Sequence, residues 1–169
     1  MSPPGPGRFW LDANILIEAN RRSYRYSVAK TFWMRLAQQV ELGRVVSPRR
    51  VYRELTEHEK HQDFVKDWVS VRQNQLSQNP NKDVTDMVGE IESYIFSQPQ
   101  YGQYECWKFS EGGDPWVIAH AKLDGGAVVT WESALRPLAK KPRIPDVCKA
   151  FDVPCLDPLD MFEELGVTF

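Results

Sequence analysis

The chain has 169 residues, of which 42% are hydrophobic and 26% charged, close to the average of folded globular proteins, so the disordered and fibrous classes are excluded. This length is typical of one domain, which we expect to span residues 8–169 after a flexible Pro- and Gly-rich segment at Met1–Gly7. The net charge of -2 argues against a protein coated with positive charge, but it allows a local basic patch.

No apolar run approaches the roughly 20 residues that a membrane helix needs, and the first residues lack the charged-then-apolar pattern of a signal peptide. We therefore expect a cytoplasmic protein that does not associate with membranes. The cysteines agree with a reducing compartment, because Cys106, Cys148 and Cys155 are odd in number and form no CxxC pair. We expect reduced thiols that are mostly buried.

The first third of the chain alternates between strand-like and helix-like patterns. A short apolar run leads directly into Asp12, and a later amphipathic pattern continues until Gly43 supplies a helix stop. Pro48 then suits the first turn of another helix. The predicted elements are a strand at Arg8–Leu11, a helix at Ala13–Ala19, a helix at Val28–Leu42, a strand at Arg44–Ser47 and a helix at Pro48–Glu57.

The middle of the chain is more polar and less regular. The stretch His58–Asp86 has one sparse apolar face that is interrupted at Gln78–Asn81, which predicts two helices joined by a turn. A further helix is expected at Val84–Phe96. The Gln- and Tyr-rich stretch Gln98–Tyr104 receives no assignment.

From Gly112 onward the chain is regular again. Strands that alternate with helices predict an α/β fold with a parallel sheet that is covered on both faces. The predicted elements are a helix at Asp114–Leu123, a strand at Ala127–Thr130, a helix at Ile144–Phe151, a strand at Val153–Leu156 and a helix at Pro158–Leu165.

Acidic residues follow the predicted strands where functional groups gather in parallel sheets. Asp12 ends the first strand, Glu54 lies on the helix after the second, and Glu132 lies two residues beyond Thr130. Side chains beyond the carboxyl ends of parallel strands come close together. Crowded carboxylates repel each other and therefore favour a hard cation such as Mg²⁺ or Mn²⁺, which could activate water for phosphodiester hydrolysis.

Each acid also has an ordinary structural explanation. Asp12 could cap the following helix, and Asp114 before Pro115 has the pattern of an N-cap and a first helical residue. Glu54 could be a solvated helix residue paired with an arginine, and Glu132 could be an exposed turn residue. Spacing alone leaves these alternatives open.

Four ordered stretches surround these acids, and two later ones follow them. Together they resemble the PIN domains, and within them a bacterial branch of PIN-like, VapC-like toxins that is described as a domain of unknown function. The resemblance runs from about residue 9 to the end and implies a three-layer α/β/α sandwich. The stretches are Trp10–Glu18 (WLDANILIE), Val51–Leu55 (VYREL), Gly112–Ala121 (GGDPWVIAHA), Val128–Glu132 (VVTWE), Lys141–Cys148 (KPRIPDVC) and Leu156–Leu165.

The resemblance implies a metal-dependent endoribonuclease. Asp12, Glu54 and Asp114 match the three acids that bind one or two Mg²⁺ or Mn²⁺ ions in this family. Cleavage would leave a 5′-phosphate and a 3′-hydroxyl. The resemblance further implies the toxin of a toxin–antitoxin pair, whose antitoxin protein covers the site. Homodimers are common among such relatives, and the Trp-rich helix at Val28–Leu42 is one candidate surface.

The fourth acid of the site departs from the family pattern. Glu132 matches a position that is more often Asp, and its longer side chain suggests that it reaches a metal through a water. Asp146 is a second candidate, although it also suits the first turn of a helix. Asn14 and Thr130 match polar residues that line the same site.

Positive side chains that could hold RNA lie near the acid motifs in the sequence. Tyr24 and Tyr26 interleave with the first group and could stack on unpaired bases. Solvated faces and ordinary packing are the alternative for any single group. No role is assigned to His58, His61 or His120. The basic candidates are Arg21, Arg22, Arg25, Arg49, Arg50, Arg53, Lys140, Lys141 and Arg143.

Two other functions compete with a ribonuclease. A Mg-dependent phosphatase that acts on a small substrate would also use acids at strand ends, but Asp12-Ala13-Asn14 lacks the second acid of a phospho-aspartate motif. A non-catalytic PIN-like binding module would keep the fold alone. The presence of all four acids makes this second alternative less favoured.

Overall fold

The computed structural model describes residues 7–57 and 63–169, in which short strands alternate with helices. The strands are β1 (Phe9–Leu11), β2 (Val45–Pro48), β3 (Ser77–Gln78), β4 (Ala127–Val129) and β5 (Cys155–Leu156). The helices are α1 (Asn14–Arg21), α2 (Lys30–Glu41), α3 (Arg49–Glu57), α4 (Asp63–Ser70), α5 (Gln73–Leu76), α6 (Lys82–Ser97), α7 (Gln103–Glu111), α8 (Asp114–Asp124), α9 (Ile144–Ala150) and α10 (Pro158–Leu165).

Some sequence-based expectations concern residues outside these ranges. The predicted flexible segment Met1–Gly7 lies outside them apart from Gly7, and so do His58 and His61. Of the helices that are described, none is long and apolar enough to cross a membrane.

The described strands form a parallel sheet in the order β3-β2-β1-β4-β5. In the central strand β1, Phe9 is in register with Val45 of β2 and with Ala127 of β4. Since the strands are parallel, their last residues meet at one edge of the sheet, which we call the carboxyl edge. Asp12, Glu54 and Glu132 follow β1, β2 and β4 along the chain, so the topology brings these three predicted acids toward the same edge.

Successive residues of the central strands point to opposite faces of the sheet, and helices cover each face. Leu11 and Val129 belong to a core with residues of α1, α2, α4 and α10, whereas Trp10 and Val128 belong to a core with residues of α6, α8 and α9. Each of these four side chains is at most 1% exposed. The predicted three-layer α/β/α sandwich with a central parallel sheet is therefore confirmed.

Three local assignments differ from the expected ones. Pro48 ends β2, and the following helix begins at Arg49. Ser77 and Gln78 form β3 next to β2, and a strand of two residues at the edge of a sheet leaves no alternating pattern in the sequence. The unassigned stretch leads into α7, which begins at Gln103 and buries few side chains, so its helical period is weak.

The aromatic side chains of α2 face the core. Phe32 and Trp33 are at most 2% exposed, and Trp33 Nε1 donates a hydrogen bond to the Tyr24 carbonyl oxygen at 2.6 Å. These rings stabilise the fold of the chain that carries them. The use of this helix as a dimer surface stays a prediction.

A polar network at the opposite edge of the sheet holds the start of β1 against the end of α8. The Asp124 carboxylate accepts hydrogen bonds from the Arg8 backbone N–H at 2.8 Å and from Trp10 Nε1 at 3.0 Å. Gly126 lies so close to this strand that a Cβ there would be 2.1 Å from the Arg8 carbonyl oxygen. His120 stacks on Trp10 with ring centroids 4.5 Å apart. This packing fixes where β1 enters the sheet.

The buried His120 predicts how stability responds to acid. Burial, with a smaller contribution from the Arg8 charge, lowers the pKa of His120 from 6.5 to about 4. Because the unfolded chain binds this proton at higher pH than the folded protein does, the stability of the protein falls as the pH drops from 6.5 through about 4. His120→Phe keeps an aromatic ring on Trp10 and removes the titration, so it should weaken this loss.

Urea unfolding of the wild-type protein and the His120→Phe variant at about pH 7.5 and about pH 5 measures the effect. The Asp124 carboxylate titrates in both proteins, so its contribution cancels in the difference between them. An equal loss of unfolding free energy in the two proteins would contradict the assignment to His120.

Candidate active site

Asp12 is a buried acid directly after β1, at the carboxyl edge. It is 3% exposed and accepts hydrogen bonds from the Asn14 backbone N–H at 2.5 Å and from the Thr130 hydroxyl. Ala13 occupies the N-cap position of α1, and the Asp12 carboxylate bonds to the N–H of Asn14, the first residue of that helix. Burial raises the pKa of Asp12 most, the Glu132 charge raises it further, and the two hydrogen bonds partly oppose this rise.

Thr130 connects two of the predicted acids. It lies just beyond β4, is 2% exposed, and bonds to the Asp12 carboxylate through its side chain. Its Oγ1 also accepts the Glu132 backbone N–H at 3.2 Å. Thr130 therefore positions the chain that carries Glu132 relative to Asp12, and its role in lining the site stays a prediction. The Asn14 side chain is exposed at the same edge.

Asp114 is the first residue of α8, and Gly113 occupies the N-cap position. The expectation that Asp114 itself is the N-cap is therefore wrong. Burial raises the pKa of Asp114 well above its ordinary value, and the negative charges of Asp12, Glu54 and Glu132 raise it further. The four predicted acids thus lie close enough to repel each other.

One glycine allows α3 to approach the beginning of α8. A Cβ on Gly113 would lie 2.6 Å from Val51 Cγ2 of α3, too close for a side chain, and 3.5 Å from both carboxylate oxygens of Glu54. A Cβ on Gly112 would lie 3.7 Å from Glu54 Oε1, which is an ordinary contact. Gly113 therefore lets α3 pack against the beginning of α8, with the Glu54 carboxylate beside it. The sequence contained this signal as the glycine directly before Asp114.

The acids border a common region without forming a closed cage. Across residues 7–57 and 63–169, no group of three or more His, Cys, Asp or Glu side chains is arranged so that it could by itself hold a metal ion. Mg²⁺ keeps several waters and is usually bound through one or two carboxylates together with substrate oxygens, so an open arrangement suits it. Repelling carboxylates with raised pKa values form a donor set that fits a hard divalent cation.

Arg143 separates the roles of Glu132 and Asp146. Its buried guanidinium lies 3.8 Å from Glu132 Oε2 and 3.4 Å from Asp146 Oδ2. Asp146 Oδ1 also accepts the Arg136 backbone N–H at 2.9 Å, and its side chain is 11% exposed against 66% for Glu132. Asp146 therefore holds the loop after β4, whereas Glu132 faces the open side of the site. The sequence placed Arg143 in a basic cluster but did not show this structural role.

The basic candidates fall into different surroundings. Arg21 and Arg22 form ion pairs with Glu18 at 3.4 and 2.9 Å, at the end of α1 that is farthest from Asp12. Arg50 donates to the Glu111 carbonyl oxygen at 2.5 Å and, with Arg53 and Glu54, lines a groove of about 390 Å³. Other contacts are made by Arg25 with the Arg21 carbonyl oxygen at 3.4 Å and by Arg49 with Asn79 at 3.1 Å.

The two tyrosines predicted to stack on bases are engaged in packing. Tyr24 stacks on Phe32 at 4.4 Å and on Trp131 at 6.3 Å between ring centroids, and its stacking on a base stays a prediction. Tyr26 stacks on Phe64 at 4.6 Å and is 44% exposed.

The architecture matches that of a solved structure. A chain in the crystal structure described as VapBC2 from Rickettsia felis bound to a DNA fragment from their promoter superimposes with a TM-score of 0.52. The match covers 88% of this chain and 97% of that chain at 14% sequence identity, so it shows the fold. The class defined by the sheet order and the helical layers is therefore the VapC-like, PIN-like α/β fold.

The family follows from the sequence itself. Residues 9–169 match the family described as Domain of unknown function (DUF4411), and the chain belongs to this family. No curated protein matches the chain.

The raised pKa of Asp114 predicts a stability effect that does not depend on activity. The folded protein holds a proton on Asp114 that the unfolded chain loses near pH 3.8, so charging this residue destabilises the metal-free protein as the pH rises through the raised pKa. Asp114→Asn should therefore raise the Tm in chelator at about pH 8 by a few degrees, since about 1 kcal/mol shifts the Tm of such a chain by roughly 2–4 °C. The gain should disappear in acid.

Thermal unfolding with and without Mn²⁺ provides the measurement. Mn²⁺ should raise the Tm of the wild-type protein more than that of Asp114→Asn, because the variant lacks one charged ligand. Glu90→Gln, which neutralises an exposed acid on α6, is the matched control and should behave like the wild-type protein. A lower Tm for Asp114→Asn in chelator at alkaline pH would contradict the repulsion that we describe.

Proposed function

We propose that this protein is a metal-dependent endoribonuclease that hydrolyses RNA phosphodiester bonds at the carboxyl edge, and that it is the toxin of a toxin–antitoxin pair. The observation that carries the proposal is the environment of Asp114, where burial and three neighbouring carboxylates together raise the pKa well above its ordinary value. Such repulsion is costly in a folded protein unless a cation relieves it. The VapC-like fold agrees with this chemistry.

In this mechanism, each residue of the site has a distinct task. Asp12 and Asp114 supply the buried carboxylates for one or two Mg²⁺ or Mn²⁺ ions, and Glu54 reaches them from α3. A bound divalent ion would lower the pKa of its water and stabilise the charge that develops on a phosphoryl oxygen. Thr130 holds the Asp12 carboxylate in its orientation. Glu132, on the open side, accepts a hydrogen bond from a water molecule and thereby orients it.

The proposed partner is a protein antitoxin. VapBC2, whose fold this chain shares, is described as bound to DNA from its promoter. For the present chain, an antitoxin would cover the carboxyl edge and keep RNA away from the acids. A homodimer remains part of the proposal because the resemblance to PIN-like toxins implies it.

The activity can be tested directly with purified protein. Single-stranded RNA should be cleaved with Mg²⁺ or Mn²⁺ to products with a 5′-phosphate and a 3′-hydroxyl, and excess chelator should stop the reaction. Ca²⁺ should not restore it, because Ca²⁺ coordinates more loosely and with longer bonds. A small phosphate ester incubated in parallel should stay intact. Full RNA cleavage in chelator, or hydrolysis of the ester alone, would overturn the proposal.

Single-turnover rates at saturating Mn²⁺ rank the acids. Asp12→Asn should nearly abolish cleavage, whereas Glu132→Gln should slow it by about 10- to 100-fold, the size typical of groups that act through a water. Asp146→Asn should cost less, since its carboxylate bonds to Arg143 and to the Arg136 N–H. Glu90→Gln is the control with unchanged activity. A larger loss for Asp146→Asn than for Glu132→Gln would show that the fourth acid is Asp146.

A further inference from the structure

A groove beside the candidate active site has the size of a nucleotide-binding pocket. It lies between α7 and the loop of residues 131–143, and we call it the loop groove. Its volume of about 600 Å³ falls within the roughly 300–1,000 Å³ of small-molecule sites. The side chains that decide its chemistry are Glu105, Arg136, Leu138, Lys140, Lys141 and Arg143.

The loop groove is next to the carboxylates and is fixed by hydrogen bonds on both sides. Arg143 lines the groove and its guanidinium also lies 3.8 Å from Glu132 Oε2, so one buried side chain connects the groove to this acid. On one side, the Gly102 N–H of the α7 N-cap donates to the Lys140 carbonyl oxygen at 3.1 Å. On the other side, the Arg136 N–H donates to Asp146 at 2.9 Å. The groove is therefore formed before any ligand arrives, which favours binding.

The walls of the loop groove combine positive charge with an exposed apolar surface. The side chains of Arg136, Lys140 and Lys141 form no ion pair in the described parts of the chain, unlike Arg21 and Arg22 on α1. Leu138 is 93% exposed, so its apolar side chain is open for a ligand to cover. A nucleotide complements both features, because its phosphate is anionic and its base has an apolar face.

We propose that the loop groove binds one unstacked nucleotide of single-stranded RNA next to the phosphodiester that is cleaved. This inference rests on the proposed ribonuclease function and adds the conformation of the substrate to it. Lys140 and Lys141 bind the phosphate, and Leu138 packs against the base. A base can reach Leu138 only if it has left the stack, so a regular RNA duplex is excluded as a ligand of this groove.

Glu105 gives the loop groove a preference among bases. It lies in the first turn of α7, is half-buried, and repels phosphate, so the base rather than the backbone faces it. A carboxylate only accepts hydrogen bonds, and the exocyclic amino groups of adenine and cytosine donate them. Uracil places carbonyl oxygens on both sides of its N–H, which a carboxylate repels. We therefore expect oligo(A) and oligo(C) to bind more tightly than oligo(U).

The direct test measures the binding of a labelled oligo(C) RNA by fluorescence anisotropy, with Ca²⁺ in place of Mg²⁺. The double variant Lys140→Ala/Lys141→Ala should weaken binding at least about 10-fold. The slope of log Kd against log salt should fall by about 0.7 for each phosphate contact that is lost. The matched control is Lys122→Ala/Lys149→Ala, which removes the same charge from exposed positions outside the groove and should change Kd by less than about 2-fold.

Two further variants test the position of the base. Leu138→Ser should raise KM with kcat nearly unchanged, because it removes a contact that is made equally before and during the reaction. Glu105→Gln should reduce the preference for oligo(C) over oligo(U), since an amide both donates and accepts hydrogen bonds. All of these side chains are exposed or half-buried, and equal Tm values would confirm that the fold is intact.

The outcomes separate this inference from the proposed function. If the wild-type protein cleaves RNA but the groove and control variants have the same Kd, the loop groove is not the binding site and the nuclease proposal stands. If the wild-type protein binds RNA through the groove without cleaving it, the nuclease proposal fails and the groove assignment stands. Equal affinity of the wild-type protein for duplex and single-stranded RNA would overturn the groove proposal. It would also be overturned if the Lys140→Ala/Lys141→Ala variant still bound RNA but no longer bound an acidic protein partner.

Discussion

The repulsion between carboxylates at the carboxyl edge costs free energy that the rest of the structure has to offset. Asp12 follows the central strand β1, and the strands on both sides of β1 run parallel to it. Side chains that follow these strands therefore lie close together at one edge of the sheet. Two apolar cores pack the strands from opposite faces and prevent the edge from spreading. Hydrogen bonds from Thr130 and Asn14 to Asp12 oppose part of the rise in its pKa. The site is therefore strained electrostatically while its backbone is held in place.

Close backbone packing gives the acids their positions. Gly113 lets α3 approach the start of α8, which sets the place of Glu54, and Gly126 lets β1 enter beside β4, which sets the place of Asp12. Neither glycine carries chemistry, yet a methyl group at either position would collide with a neighbouring element. The geometry of the carboxylates depends on these contacts as much as on the acids themselves.

The sequence predicted those parts of the fold whose own residues carry the signal. β1, β4 and α8 have continuous apolar patterns and clear stop signals, so their positions followed from periodicity. The edge strand β3 depends on β2, which is distant in the sequence, and two residues leave no local pattern. The helix α7 packs on its sequence neighbours α6 and α8 but buries too few side chains to leave a helical pattern. The structure brings the four predicted acids toward one another, but their roles as metal ligands remain predictions.

Single residues show why part of the site could not be predicted. Asp114 before a proline looked like an N-cap, but the preceding glycine takes that position. Arg143 looked like one member of a basic cluster, but its buried guanidinium lies between Glu132 and Asp146. Both roles depend on how loops pack against each other in the folded protein. The spacing of residues along the chain does not predict this packing.

The order of the strands along the chain also determines when the site can be completed during synthesis. β1 can pair with β2 as soon as both strands have left the ribosome. Its other neighbour, β4, in which Ala127 lies opposite Phe9, is translated much later. At about 5–20 residues per second, roughly 3 to 12 seconds pass between the translation of Glu54 and that of Asp114. Throughout this interval the nascent chain has two of its acids and one open strand edge. Under the proposed function, a chain with this topology would cleave no RNA until Asp114 and β4 have been translated.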